Sequence, residues 1–293
     1  MTGPRYMLLS ALAFALMGAM VKIASAEGLP LLQIIFVRAI ISVLLCLIAI
    51  RRSGSNPLGR QRGLLLARGV VGFLALTGVF YAFINLPYAQ ATVLQYLHPV
   101  FTAALAFWFL AERPTPATLI GIALSLLGLG CVVYPYLQST NTSVMPIAAV
   151  LAGLGGALGS GIAYTLVRKL AATEHPSVIV LYFPMVCVPA TLLLGAGDFI
   201  WPSQIGWLTL LGVGCFTQLG QISLTKAMQT DSASRATSLS YLQIVFAAGL
   251  GWLLFKEVPA TATVIGAAFI LFGALISAAL QPNPDRKRGA GNA

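Results

Sequence analysis

Residues 95–101 read QYLHPVF and residues 240–246 read SYLQIVF, nearly the same phrase 145 positions apart. The match spreads outward from this core without a gap. Between 91–128 and 236–273, 18 of 38 positions are identical, among them Tyr96, Leu97, Val100, Phe101, Glu112, Pro114, Gly121 and Gly128. Shared apolar composition alone would give roughly a fifth of that length. A fainter match precedes it: Val21, Pro30 and Phe36 align with Val167, Pro176 and Tyr182 at an offset of 146. The chain therefore reads as one unit written twice, residues 1–140 and 141–281, followed by a basic tail, 282–293, expected to be frayed or disordered on the cytoplasmic side.

Composition says where such a unit can live. Hydrophobic residues make up 58% and charged residues 8%, with a mean hydropathy of +0.91. A soluble domain carries about a quarter charged residues, so this chain cannot cover itself for water. Crossing the hydrocarbon layer takes about 20 apolar residues per helix. Segments of that kind run over 7–26, 31–50, 64–86, 89–111, 115–136, 146–167, 177–196, 205–228, 234–255 and 259–280. The expectation is an all-α polytopic membrane protein of ten transmembrane helices. The first segment ends in Ala24-Ser25-Ala26, like a signal-peptide cleavage site. Its counterpart in the second unit favours a retained helix.

The net charge of +10 suggests nucleic acid until the basic residues are placed. With the N-terminus in the cytoplasm and ten crossings, Arg5, Arg51, Arg52, Arg60, Arg62, Arg113, Arg168, Lys169, Lys226, Arg235, Arg286, Lys287 and Arg288 all fall inside. Only Lys22 and Lys256 fall at outer helix ends. This asymmetry is the positive-inside pattern and puts both termini in the cytoplasm of a cell with an inner membrane. No nucleic-acid partner is expected, because no basic groove interleaved with aromatics is present. Cys46, Cys131, Cys187 and Cys215 lie singly in apolar segments and read as small hydrophobes, with neither disulfide nor metal spacing. No cofactor motif occurs, and no P-loop supports ATP-driven transport.

Five helices is an odd number, so the second unit enters the membrane from the opposite side. The two units are then inverted about an axis in the membrane plane, an arrangement of secondary transporters whose substrate sites lie between the repeats near midplane. With a Glu-x-Pro corner after the fourth and ninth helices (Glu112–Pro114, Glu257–Pro259) and Arg38 in FVRAIIS, the chain resembles the drug/metabolite transporter superfamily, and within it the EamA-type exporters. The resemblance covers about residues 5–281. It implies a basket of helices around a central cavity, with the fifth and tenth at the periphery. It supplies no catalytic residues, and its members include amino-acid exporters.

Candidate cavity residues follow from helical periodicity. At 100° per residue, Thr92, Gln95, Tyr96, His98 and Pro99 fall on one side of the fourth helix and apolar residues on the other. Ser240, Tyr241 and Gln243 repeat the stripe on the ninth. A polar stripe facing lipid is costly, so these stripes face a cavity or neighbouring helices. Gln218 and Gln221 share a face of the eighth helix, Tyr164 lies on the sixth, and Tyr81 on the third is the repeat partner of Lys226. Pro99 removes a backbone donor and is expected to kink the fourth helix. Gly155 and Gly159 form a GxxxG that permits close helix approach. Arg38 is read as the one basic residue well inside a segment. It either bonds helix-end carbonyls, as the family resemblance favours, or meets a substrate carboxylate. His98 is the single mid-depth group that titrates near neutrality; the acidic residues all fall at segment ends. No cluster of arginines or lysines is expected in the cavity.

The function expected is secondary transport of a small organic metabolite across the lipid bilayer by a monomer, through alternating access. By family resemblance an amino acid, aromatic or branched, is the leading substrate. A drug-like compound, nucleoside or sugar is the alternative. An intramembrane enzyme would need a nucleophile and base or a metal triad at depth, and a channel would not need an inverted repeat.

Overall fold

The structure, a computed structural model, describes residues 3–98, 100–102, 104–105, 116–138, 147–230 and 242–279. The elements there are α-helices and one short 3₁₀ turn: α1 Gly3–Ala26, α2 Leu31–Ser53, α3 Arg62–Asn85, α4 Tyr88–Gln95, α5 Pro116–Gln138, α6 Ile147–Leu170, α7 Pro176–Gly195, α8 Gln204–Thr230, α9 Leu242–Phe255 and α10 Thr261–Ala279. Six of them, α1, α2, α3, α6, α7 and α8, are long and apolar enough to cross a membrane; α9, α10 and the apolar stretch of α5 are shorter. The chain is thus a multi-pass, all-helical membrane protein. Pro99, Ser240, Tyr241, the Glu112–Pro114 corner and the tail 282–293 lie outside the described residues.

Local sequence explains the helix limits. Prolines sit at the starts, where a missing N–H costs nothing: Pro30 before α2, Pro87 before α4, and Pro116 and Pro176 as first residues of α5 and α7. Gly54 ends α2 in the left-handed region at φ 63°, which a side chain would resist. Arg51 and Arg52 close α2, and Arg168 and Lys169 close α6, cations set against the negative end of each helix dipole. These residues mark one end of the bundle as basic. Trp201 and Trp207, with ring centroids 5.8 Å apart, mark the other as the kind of aromatic belt found at a membrane surface.

The continuous fourth helix expected over 89–111 is broken. The carbonyl of Gln95 would normally accept from residue 99, where Pro99 has no N–H. The last regular residue of α4 is Gln95, and the backbone tightens there. Tyr96 N–H is shared between Thr92 O at 3.0 Å and Val93 O at 3.1 Å, and Leu97 N–H turns to Leu94 O at 3.2 Å.

Packing follows glycine. Against α3, a Cβ added at Gly156 would lie 2.8–2.9 Å from Val79 and the Ala75 carbonyl, and one at Gly159 would lie 2.8 Å from Ala75. Gly155 meets nothing within 4 Å. The close-approach pair is therefore Gly156 and Gly159, one register step away from the GxxxG reading. The α5–α10 crossing is reciprocal: a Cβ at Gly128 would meet Gly266 O at 2.5 Å, and one at Gly273 would meet Gly121 O at 2.9 Å. Elsewhere α1 packs on α8 and α9, α2 on α7 and α8, α3 on α6 and α7, and α4 on α6 and α9. The outer faces are apolar, with Leu193, Leu208 and Leu74 turned away from the bundle, as lipid contact requires.

Gly156→Leu should force α3 and α6 apart, while Gly155→Leu should be tolerated. Overpacking costs about 1–3 kcal/mol, which predicts a fall in detergent-solubilised Tm of about 5 °C for the first and no significant change for the second. Equal falls in both would refute the register.

Candidate functional site

A chain of polar side chains runs through the apolar bundle from α2 to α9. It begins with two arginines, where the sequence pointed to one. Arg38 on α2 is 2% exposed and Arg68 on α3 is 5% exposed. Arg38 lies about 10 Å from the start of α2, and Arg68 about 9 Å from the start of α3. α2 and α7 run antiparallel, since Gly195 at the end of α7 abuts Leu32 at the start of α2. Both side chains therefore reach the same ring from opposite ends. Each guanidinium carbon lies 4.8 Å from the centroid of Phe183 on α7, and Arg38 is also 5.7 Å from Phe80. Phe183 is seated because α3 presents a glycine to it: a Cβ at Gly72 would fall 2.7 Å from the ring.

Neutral groups of α8 complete this part. Arg38 Nε donates to Thr217 Oγ1 at 2.8 Å, and Arg68 Nη2 donates to Gln221 Oε1 at 3.2 Å. Gln218 Nε2 donates to Cys46 Sγ at 3.1 Å. Arg38 thus bonds a hydroxyl on another helix, not the helix-end carbonyls suggested by the family. The expectation of a cavity without clustered basic residues is corrected by Arg68. Among the described residues no carboxylate reaches the pair; Glu27, Glu174, Asp198 and Glu257 all lie at helix ends or in connections.

The second part of the chain starts at Tyr164 of α6 and continues through rings. The His98 ring is 4.7 Å from Tyr164 and 5.4 Å from Tyr96. Tyr96 donates its hydroxyl to Gln243 Oε1 on α9 at 2.8 Å. The structure thus brings together Arg38, Gln218, Gln221, Tyr164, His98, Tyr96 and Gln243, and Gln95 borders them. Two predicted members stand apart. Thr92 is fully buried, but its hydroxyl donates to the Tyr88 carbonyl of its own helix at 2.8 Å. Tyr81 is 37% exposed near the far end of α3 and reaches none of the others.

Several polar atoms in this chain lack a partner among the described residues: Arg38 Nη1, Arg68 Nε and Nη1, Ser42 Oγ, Gln95 Oε1, His98 Nδ1, Gln218 Oε1 and Gln243 Nε2. Leaving a buried polar group unsatisfied costs about 1–3 kcal/mol each, and more when it is charged. Buried polar groups in a packing core are almost always paired, so these unpartnered atoms set the chain apart from the apolar core around it.

At the tryptophan end, a set of contacts joins the two halves of the chain. α9 ends with Lys256 in the left-handed region at φ 56°, and Glu257 N–H returns to Gly251 O at 3.1 Å. That turn directs the Glu257 carboxylate onto Lys22 of α1 and onto the Tyr88 N–H, the latter at 2.8 Å. Lys22 also donates to the Leu86 carbonyl. The acidic residue of the second Glu-x-Pro corner therefore caps α4 and pins α1. At the basic end, Glu174 accepts the backbone N–H groups of Arg60 and Gln61 at 2.6 and 2.7 Å.

Multi-pass helices around a buried polar site define a membrane transporter, and comparison with known proteins agrees. The EamA-like transporter family matches residues 1–134 and again 147–279. This chain belongs to that family, and is a transporter and not an enzyme. It is 35% identical to a pseudopaline exporter of Pseudomonas aeruginosa, over 90% of this chain and 91% of that one. It is 28% identical to a riboflavin transporter of Vibrio cholerae, over 92% and 90%. It is also 28% identical to human solute carrier family 35 member G1, over 91% and 76%. A solved crystal structure shares the fold at a TM-score of 0.70 and 20% identity, covering 94% of this chain and 97% of that one.

If Tyr96 shapes the site through Gln243, Tyr96→Phe should lower substrate affinity about fivefold, as one hydrogen bond of about 1 kcal/mol implies, with Tm within about 2 °C of the parent. Concentration-dependent uptake in proteoliposomes measures this. An unchanged KM would remove Tyr96 from the site.

Proposed function

We propose that the protein is a secondary transporter that carries a small organic metabolite across the cytoplasmic membrane by alternating access between two inverted five-helix halves. The observation that carries the reading is the polar chain itself, built from both halves and buried at mid-depth where no structural need explains so many unpartnered groups.

Three further observations support the inversion. The family matches each half separately. Helix contacts pair off under exchange of the halves: α1 with α8 as α6 with α3, α2 with α8 as α7 with α3, and α1 with α9 as α6 with α4. At the α5–α10 crossing, Gly128 meets Gly266 and Gly273 meets Gly121, although the repeat equates Gly121 with Gly266 and Gly128 with Gly273. Equivalent residues meeting in reverse order is what a two-fold axis across the helices produces. An axis along them would bring equivalents side by side. Inverted halves exchange conformations to open the site to alternate sides. The Lys22–Glu257 tie fits a state closed at the tryptophan end.

With both termini cytoplasmic, as the basic helix ends favour, that closed end is external. The similarity to an exporter favours outward movement, and an amino acid or a metabolite built from one is the leading substrate class. His98, buried between two tyrosines, has no acid near it among the described residues to relay a proton, and serves as a lining group.

Saturable counterflow in proteoliposomes, screened with amino acids, pseudopaline and riboflavin, tests the carrier reading; ohmic single-channel current in its place would overturn it. His98→Gln, the residue the repeat itself places there, should retain most transport with an unchanged pH profile. A steep new pH dependence would assign His98 to proton coupling.

A further inference from the structure

The two arginines at Phe183 have a consequence for what is carried. We infer that Arg38 and Arg68 form an oxyanion site, and that the transported solute presents a carboxylate to it. The inference rests on the transport reading above and specifies the chemistry of its site.

Two guanidinium groups share one ring at 4.8 Å each, and both are more than nine-tenths buried. Guanidinium stays protonated in proteins, so neither can escape its charge by losing a proton. Their mutual repulsion is unrelieved by any carboxylate among the described residues. Thr217 and Gln221 each satisfy one donor nitrogen; Arg38 Nη1 and Arg68 Nε and Nη1 keep N–H groups with no acceptor among the described residues. A structural arginine at this depth would be expected to pair with an acid or with backbone carbonyls. Donors from two planar forks, beside a ring and without a counter-ion, suit a planar anion bound by both.

The surroundings narrow the class. Ser42 and Gln218 add unpartnered neutral oxygens near the arginines, which accept from ammonium or hydroxyl groups of the same solute. Farther along, His98, Tyr164 and Tyr96 supply ring surface. The site therefore takes a molecule with a carboxylate at the Arg38–Arg68 end and a hydrogen-bonding or aromatic body toward α4 and α9. Pure cations and uncharged solutes leave the charge pair unanswered and should be rejected.

The test begins without assuming the solute. Cells expressing the wild-type chain and an empty-vector control are profiled for metabolites inside and outside, and the solutes that redistribute are identified. The inference expects a carboxylic acid. If every redistributed solute lacks an anionic group, or carries phosphate as its sole anion, the inference fails while transport stands. If no solute redistributes, the transport reading itself fails and takes this inference with it.

The second arm uses that carboxylic acid and its carboxamide as competitors of its own uptake in proteoliposomes. Wild type should prefer the acid at least tenfold. Arg68→Gln and Arg38→Gln should lose the preference, chiefly through a tenfold or larger rise in KM for the acid, and Arg68→Lys should recover part of it. An arginine that merely holds the fold would lower uptake of both competitors alike and leave their ratio unchanged, which would overturn the proposal. Should the glutamine variants not fold, the acid-to-amide ratio of the wild type decides: a ratio near one refutes the site.

Discussion

Hydrocarbon offers no hydrogen-bonding partner, and every part of this structure answers to that constraint. Apolar side chains take the outside, and polar ones must find one another within the bundle. Most do so cheaply. Thr92, Thr165 and Thr225 return their hydroxyls to a carbonyl one turn back on their own helices, which makes them invisible to lipid and to ligand alike. Arginine has no such retreat. An arginine at the centre of a membrane helix costs about 2.5–3.5 kcal/mol on insertion scales. A desolvated cation–π contact returns about 2 kcal/mol, and a hydrogen bond from a charged group about 1.5–3 kcal/mol. Phe183 with Thr217, and Phe183 with Gln221, are therefore of the right size to let the fold hold Arg38 and Arg68 without an acid. They are not enough to occupy every N–H. That margin separates a tolerated charge from a satisfied one.

The glycines decide where this balance is struck. Gly72 lets Phe183 lie on α3, and a Cβ at Gly69 would fall 2.7 Å from the Tyr182 carbonyl, so α3 and α7 approach backbone to backbone at the arginines' depth. On the other face of α3, Gly156 and Gly159 bring α6 and its Tyr164 close. One helix thus carries Arg68 and fixes the ring and the phenol around it. Because lipid tails are as apolar as the side chains, contact of this closeness supplies association that the hydrophobic effect does not.

Much of this was legible in the sequence, for identifiable reasons. Helix positions followed from apolar length, and the repeat from QYLHPVF and SYLQIVF. Tyr96 and Gln243 were legible because periodicity put each on a polar stripe, and these two side chains turn out to meet. Arg68 was not legible. It lies six residues beyond Arg62 at the basic end, and no motif or polar stripe in the sequence singled it out. Only the α3–α7 packing turns it inward. The glycine register failed by one residue for a similar reason: GLGGALGSG offers several small-residue pairs, and which one faces α3 depends on helix rotation. The break after Gln95 follows from Pro99, but its position four residues upstream becomes clear only when the orphaned carbonyl is traced.

The arginines also bear on how the two repeats would divide the labour in the inverted arrangement proposed above. Both belong to the first unit, and the repeat places Pro184 and Val213 at their counterparts. The second unit answers with neutral groups, Thr217, Gln218 and Gln221. Under the proposed alternating access, exchanging the conformations of the halves would preserve the backbone arrangement but not the electrostatics, since the charge travels with one half alone. The two end states then differ by whatever burial and hydrogen bonding the guanidinium groups gain or lose between them. A difference of about 1.4 kcal/mol biases the resting population tenfold. A bound anion would shift that balance in proportion to its differential affinity for the two states. In such a carrier, the unequal placement of two charges would make the inward-facing and outward-facing states energetically distinct.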